Sequence, residues 1–351
     1  MLKADWIAHE LNFKSPAGTS RGVLHNKPSI FLLIWNEEEP HIKGIGECSL
    51  IPGLSPEAPE SIGEKVDELC RNINDLERWQ GGALIQYPAL NFALETALLD
   101  LDRRGSRVLY PSEFTIGKKG IPINGLVWMG DKREMKSRIS EKLDAGFSCL
   151  KMKIGAINIK DELRLLKNIR KEFNKKDLVL RVDANGAFDP DNALAILDQL
   201  ADLKVHSIEQ PIAAGRYEAM AELCAKAPIP IALDEDLIGL NNLETRRNVI
   251  DTIKPQYIIL KPSLLGGLKS CVQWIEIAEE RNIGWWVTSA LESNIGLSAI
   301  AQWTATLKTE MYQGLGTGQL FTNNFESPLE IEKGKLYFRP EKEWQVDELL
   351  G

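Results

Sequence analysis

Residues 149–154 read Cys149-Leu150-Lys151-Met152-Lys153-Ile154, and residues 178–184 read Leu178-Val179-Leu180-Arg181-Val182-Asp183-Ala184. In both, charged residues take alternate positions in an otherwise apolar run. A β-strand sends successive side chains to opposite faces, so residues of one parity share a face. Leu150 and Met152 therefore oppose Lys151 and Lys153, and Leu180 and Val182 oppose Arg181, Asp183 and Asn185. Further runs repeat the pattern: Ile208 opposes Ser207 and Glu209, Ile231 and Leu233 oppose Ala232 and Asp234, and Ile258 and Leu260 oppose Ile259 and Lys261. One such charge reads as a solvated strand end. Five consecutive strands do not, because burying six ionisable groups with nothing to bind costs roughly several kcal/mol each.

Outward from these strands, the chain from about Ile121 repeats a short β-branched or apolar run, a loop with Gly, Pro or Asp, and an amphipathic stretch. The candidate strands are 121–127, 149–154, 178–184, 206–210, 229–234, 257–261, 284–288 and 311–315, with helices between them such as 131–145, 191–203, 267–280 and 297–307. Eight β/α units in a row predict a closed α/β barrel of the (β/α)₈, TIM-like type, with the apolar parity facing the helices. The charged parity then points inward at the C-terminal ends of the strands, where barrel active sites are built. No Gly-x-Gly-x-x-Gly follows the first strand, which argues against a dinucleotide fold.

Ahead of the barrel, strand-like stretches at 2–13, 22–36 and 42–48 precede helix-like stretches at 56–74 and 89–103, with Pro56 and Pro88 suited to first helical turns. This predicts an α+β capping domain over 1–118, completed by 322–351, and a barrel over 119–321. Residues 329–338 read as a hairpin around Lys333-Gly334, expected to pack back on the N-terminal module. The division suits 351 residues, since a barrel takes roughly 250 and leaves about 100 for a second module.

Composition narrows the function. The charge of −8 comes without a basic block, so nucleic acid and anionic membrane are not expected partners. No apolar run approaches the ~20 residues of a bilayer span, and the start Met1-Leu2-Lys3-Ala4-Asp5 lacks a secretory apolar stretch. A cytoplasmic enzyme of a small molecule is the expectation. Cys48, Cys70, Cys149, Cys224 and Cys271 are scattered, without Cys-x-x-Cys spacing, and read as free thiols.

Asp183, Glu209 and Asp234, 26 and 25 residues apart, supply one carboxylate on each of three successive strands. Three oxygen ligands suit a hard octahedral cation such as Mg²⁺, leaving positions for water and a bidentate substrate carboxylate. Zinc is disfavoured, because His9, His25 and His41 precede the barrel and His206 opens the fourth strand. Parity excludes the adjoining Glu235, while Asp236 stays open as a ligand if the fifth strand runs longer. Lys151 and Lys153 lie across the barrel from Lys261, a geometry for acid–base work on a bound substrate. A lysine beside a divalent cation and a second ammonium has its charged form disfavoured, which favours a neutral amine as base. The cation and the remaining ammonium then stabilise the enediolate left when a proton departs beside a carboxylate. Schiff-base chemistry is the rival use of a barrel lysine, but it leaves three carboxylates unexplained.

Lys151-Met152-Lys153, Asp183-Ala184-Asn185, Glu209-Gln210-Pro211, Asp234-Glu235 and Lys261-Pro262, in that order, resemble the strand-end motifs of the enolase superfamily, in its muconate-lactonising-type subgroup. The resemblance spans the chain, with Ser15–Gly22 and Cys48–Ser55 in the places of the two specificity loops of that superfamily's cap. Thr19-Ser20-Arg21-Gly22, Thr288–Asn294 and Gly314-Leu315-Gly316-Thr317-Gly318 look most like the o-succinylbenzoate synthases, a lyase family of menaquinone biosynthesis. That resemblance implies Mg²⁺, with Mn²⁺ able to substitute, held by Asp183, Glu209 and Asp234. It also implies Lys153 as the proton-abstracting base and then the acid for hydroxyl departure in a syn dehydration. Lys261 would face the developing enolate, and Lys151 would depress the pKa of Lys153. Arg21, Arg181, Asn185, Ser289 and Gly316 are the candidate substrate contacts.

Two motifs of relatives are missing. The dipeptide epimerases' Asp-x-Asp after the eighth strand is replaced by Gly314-Leu315-Gly316, and the mandelate-racemase-like His after the seventh by Ser289-Ala290-Leu291. N-acylamino acid racemisation and muconate-type cycloisomerisation use the same two lysines and stay as alternatives. A lapsed barrel kept as a metal-dependent binding protein is the alternative of another class. Arg21 has a solvated-loop reading beside the functional one, and Arg181, one layer below Asp183, could instead pair with Glu209. Trp285 and Trp286 read as core, not as a stacking platform.

Overall fold

The computed structural model describes residues 1–19, 22–128, 132–155 and 158–350. The N-terminal third opens with an antiparallel sheet of β1 (Leu2–Thr19), β2 (Gly22–Asn36) and β3 (Lys43–Ser49) in that order. β1 pairs with β2 from Leu2↔Asn36 to Asn12↔Asn26, slips, and resumes at Ala17↔Leu24. The slip contains Pro16, which has no N–H for a ladder, as expected of an edge irregularity. There Phe13 bridges to Phe321 and the Lys14 N–H donates to the Leu320 carbonyl at 2.8 Å, tying the cap's edge to the segment leaving the barrel.

Ile30 to Ile34 of β2 are all buried, without alternation, because both faces of the sheet are covered. Ile30, Leu32 and Ile34 pack on α1 (Ile62–Arg71) and α2 (Pro88–Asp102), while Phe31 and Leu33 meet Ile295, Phe325, Val346 and Leu349. Pro88 occupies the first turn of α2 as its fixed φ allows. Pro56 does not start a helix: α1 begins at Ile62, and the residues before it run as turns and bends. α2 lies directly on β3 because Gly44 and Gly46 carry no side chain; a Cβ at Gly46 would stand 1.9 Å from the Ala93 carbonyl oxygen.

Seven parallel strands follow in one sheet, Gly125–Val127, Cys149–Lys153, Val179–Asp183, Ser207–Glu209, Ile231–Leu233, Tyr257–Leu260 and Gly284–Val287, each beside its sequence neighbour. The eighth, expected at 311–315, forms no regular ladder, yet it closes the ring. Gln313 bridges Ile123 and Gly314 bridges Thr288, both in parallel. Backbone bonds of 2.9 Å from Asn124 N to Gln313 O and 2.8 Å from Gly314 N to Val287 O complete the closure. Leu150, Met152, Leu180, Val182, Ile208, Ile231, Leu233, Ile258 and Leu260 sit in the main core between sheet and helices, as parity requires. Beneath the charged ends, Ala232, Ile259 and Trp286 fill the interior as a packed layer.

The C-terminal hairpin, Leu329–Glu332 with Lys335–Phe338, turns through left-handed Lys333 and Gly334. It meets the end of the N-terminal module, where Phe338 packs edge-on against Phe114 with ring centroids 6.0 Å apart, but its strand pairing lies elsewhere. Lys335 and Leu336 pair with Pro122 and Ile121, so the hairpin extends the chain's entry into the first barrel strand, and that splits the 121–127 run in two. All five cysteines are free, and Cys48, Cys149, Cys224 and Cys271 are buried. Among the described residues no helix is long and apolar enough to cross a membrane.

Candidate active site

Lys153, Asp183 and Glu209 stand on one rung, paired across three adjacent strands. The partner of Glu209 on the fifth strand is Ala232, so Asp234 lies two residues further along. Extending the fifth-to-sixth register, Ile259 would face Asp234, and Lys261 is again two residues beyond. Four residues of climb over four strand steps is the stagger of an eight-stranded barrel with a shear of about 8. The tilt of the strands thus brings residues at different register positions to one height around the mouth.

The ring is buried and its charges are interleaved. The Lys151 ammonium donates to Glu209 Oε1 at 2.7 Å and lies 2.9 Å from Asp183 Oδ2. Lys153 donates to Asp183 Oδ2 at 2.5 Å and to Asn185 Oδ1 at 2.6 Å. Lys261 donates to Asp234 Oδ2. Burial alone would lower the Lys151 and Lys261 pKa values, but the carboxylates around them reverse the sign and both are raised. Burial would raise Asp183, yet Lys151 and Lys153 hold it well below the usual range. Glu209 goes the other way, raised first by burial and then by Asp183 and Asp234.

Among the described residues no three His, Cys, Asp or Glu side chains form a closed ligand set, since lysine ammoniums stand against the carboxylates. The donor chemistry nevertheless fits a hard divalent cation. Asp183, Glu209 and Asp234 are each at most 2% exposed on neighbouring strands. Glu209 Oε2 is buried and makes no hydrogen bond, although Lys151 Nζ lies 2.6 Å away outside bonding geometry. Oxygen-only donors of this kind suit Mg²⁺ better than zinc.

The fifth strand stops at Leu233, and Glu235–Leu237 form a 3₁₀ turn. Alternation therefore ends before Glu235, and the parity argument that turned it away from the site fails. Its Oε1 accepts from Asn185 Nδ2 at 3.0 Å, which extends the chain Lys153, Asn185, Glu235. Asp236, by contrast, is engaged by Gln210 Nε2 at 2.8 Å and by the Gly215 N–H at 2.7 Å. Gln210, left-handed at φ 40°, also accepts from the Asp234 and Asp236 amides and holds the end of the fifth strand.

Lys151, Lys153, Asn185, Lys261, Ser289 and Gly316 all line one cavity at the barrel mouth, against Leu24, Ile51 and Leu54 from the cap. Ser289 Oγ accepts from Thr317 Oγ1 at 2.7 Å and from the Leu291 N–H at 3.0 Å, so it braces its own loop. Leu291 is held at φ 62°, a conformation costing about 1–3 kcal/mol in a residue with a side chain. Arg21 lies outside the described residues.

Arg181 is not brought to the cavity. Its guanidinium stacks 4.0 Å from the Trp286 ring centroid and donates to the Tyr312 carbonyl at 2.8 Å, one layer below Lys153. Its place there follows from parity and register together, and Trp286, buried in the core as its mid-strand position predicts, carries the guanidinium on its face. Sequence reasoning passed over Asn124 and Thr288, whose side-chain oxygens are buried, unpartnered and at the cavity wall. The signal was present for Asn124, which shares inward parity with Leu126 on the first strand.

Residues 134–342 match the enolase C-terminal domain-like family. An o-succinylbenzoate synthase of Desulfotalea psychrophila is 49% identical over 95% of this chain and 98% of its own length. The crystal structure of MenC from the same organism superposes with a TM-score of 0.85 at 44% identity, covering 96% of this chain and 99% of that one. An N-succinyl-L-Arg/Lys racemase of Bacillus cereus is 25% identical over 83% of this chain and 80% of its own length. The chain belongs to the enolase superfamily, in the same family as the o-succinylbenzoate synthase of Desulfotalea psychrophila.

Proposed function

We propose that this chain is a carbon–oxygen lyase that dehydrates 2-succinyl-6-hydroxy-2,4-cyclohexadiene-1-carboxylate to o-succinylbenzoate, a step of menaquinone biosynthesis. Near-half identity to an o-succinylbenzoate synthase along the whole chain carries the reading. Lysines on opposite sides of one cavity support it. Enzymes of this superfamily use a divalent metal, and Mg²⁺ is the ion assigned here to Asp183, Glu209 and Asp234. When bound, it supplies positive charge beside the substrate carboxylate and so favours loss of the adjacent proton.

Lys153 as the neutral amine takes the proton from the carbon bearing the carboxylate. As the ammonium it returns a proton to the hydroxyl on the same face, which leaves as water while the ring becomes aromatic. Lys261, four strands away, faces the developing negative charge from the opposite side. Lys151, buried between Asp183 and Glu209, keeps a positive charge beneath Lys153. Asn185 orients the Lys153 ammonium through its 2.6 Å bond. Ser289 and Gly316 are assigned to the wall that receives the succinyl arm, and Arg21 to the loop beside the mouth.

Residues 1–118, completed by 322–351, are assigned as the capping unit, and 119–321 as the catalytic barrel. Within that tail, hairpin 329–338 is bonded to the barrel's entry, while Phe325, Val346 and Leu349 pack on the cap sheet. Five free thiols suit the reducing cytoplasm, where we place the reaction.

Racemisation of N-succinyl amino acids is the second reading, favoured by the Bacillus cereus relative. Gly314 and Gly316 line the cavity in the place of the dipeptide epimerases' Asp-x-Asp, which disfavours dipeptide epimerisation. The deciding experiment is parallel kinetics with Mg²⁺ on the dienecarboxylate and on N-succinyl amino acids. The dehydration is expected to have the higher kcat/KM, and a preference for racemisation overturns it.

A further inference from the structure

The capping sheet sends one carboxylate into the barrel. Glu47 on β3 is fully buried, and every polar contact it makes is specific. Its Oε1 accepts from Ser29 Oγ at 3.0 Å and from the Ser293 N–H at 2.9 Å. Its Oε2 accepts from Ser293 Oγ at 2.6 Å and from the Gly296 N–H at 3.0 Å. Lys27, also fully buried, lies 3.9 Å from Oε1 and donates to Ser29 Oγ and Ser49 Oγ, each at 2.8 Å. A Cβ at Gly296 would stand 2.8 Å from Oε2, so glycine there permits the approach.

These acceptors hold the first turn of the helix Asn294–Thr304, whose N-cap is Ser293. A carboxylate suits a helix N-terminus, where free N–H groups and the helix dipole favour negative charge. The same turn ends the segment that runs from the seventh strand through Ser289, Ala290 and left-handed Leu291, all three on the cavity wall. A second bond from the cap, Ser49 Oγ to the Ala290 carbonyl at 3.4 Å, meets that segment further up. On the barrel side, Glu292 accepts from the Ala290 N–H at 2.8 Å and from Ser263 Oγ. The wall is therefore pinned from both domains across a residue whose backbone does not relax into its conformation unaided.

We propose that Glu47 is a positioning residue for the reaction, fixing from the capping sheet the Ser289–Ser293 segment against which substrate binds. It touches no substrate and acts through Ser293. The proposal rests on the cavity being the substrate site, and one of its readouts is independent of turnover.

Glu47→Gln preserves shape but turns one oxygen into a donor facing groups that also donate. The expected result is a KM for the dienecarboxylate raised about tenfold with kcat changed less than about threefold. The Mg²⁺ concentration for half-maximal rate stays unchanged, and the Ala290 and Leu291 amides exchange hydrogen about tenfold faster. A folded variant with wild-type KM and wild-type exchange at these amides, altered only in melting temperature, overturns the proposal. If Glu47→Gln does not fold, Ser29→Ala and Ser293→Ala each remove one bond to the same carboxylate. Both are then expected to raise KM, and unchanged KM in both overturns it. A wild-type protein without dehydratase activity removes the proposed function, and the exchange measurement still judges the clamp.

Discussion

Lys151, on the second barrel strand, reaches past the third strand to Glu209 on the fourth, donating to its Oε1 at 2.7 Å. The same ammonium touches Asp183 at 2.9 Å. Carboxylates held this close, with at most 2% exposure, repel one another and need positive charge among them.

Mg²⁺ should therefore stabilise the fold as well as serve the reaction. At a hundred times its Kd, a ligand that binds only the native state adds about 2.7 kcal/mol. Calorimetry with Mg²⁺ and with EDTA should show that gain for the wild type, and Asp183→Asn and Asp234→Asn should lose most of it. An equal gain in all three proteins would remove the ligand assignment.

The lysines should separate from the metal site. Lys153→Ala and Lys261→Ala are each expected to lower kcat by about 10²–10⁴, the range for a positioned acid–base group. Their Mg²⁺-dependent rise in melting temperature should persist. Normal turnover in Lys153→Ala would refute its role as the base.

Glu57 predicts a pH effect away from the reaction. Its Oε1 accepts from the Ala89 N–H at 2.5 Å at the start of α2, and burial raises its pKa from 4.5 to about 7. The native state then holds the proton more tightly than the unfolded chain. Stability from this group is thus fully present below about pH 4.5, falls as pH rises toward 7, and levels off above. Glu57→Gln removes the titration. Its stability relative to wild type should grow by about 1–3 kcal/mol between pH 5 and pH 8, read by urea unfolding. A gap that stays constant over that range contradicts the assignment.

Gly46→Ala should loosen the cap. Its Cβ meets backbone, the Ala93 carbonyl, which yields only if α2 moves off β3. A loss of about 1–3 kcal/mol or more is expected. A melting temperature equal to wild type would show that helix and strand are not in contact as described.

Much of the site was legible because strand alternation is a local property of the backbone. Lys151, Lys153, Asp183, Glu209 and Lys261 needed only their parity and the β/α repeat to be placed on one inward face. The rule failed where the strand itself ended: after Leu233 the backbone turns, and Glu235 comes to Asn185 although its parity pointed elsewhere. Arg181 shared the inward parity, but its depth, and its stacking on Trp286 rather than beside substrate, followed from registers between strands.

The sequence by itself determined the barrel, its charged ring and the family chemistry, since each depends on spacing within one β/α unit and on residue type. Tertiary structure alone decided the height at which that ring closes, through the barrel's stagger. It also decided that the C-terminal hairpin joins the first strand's entry and that Glu47 grips Ser293 from the cap. Those contacts join residues hundreds of positions apart, and nothing in local periodicity encodes which distant surface will bury a given side chain.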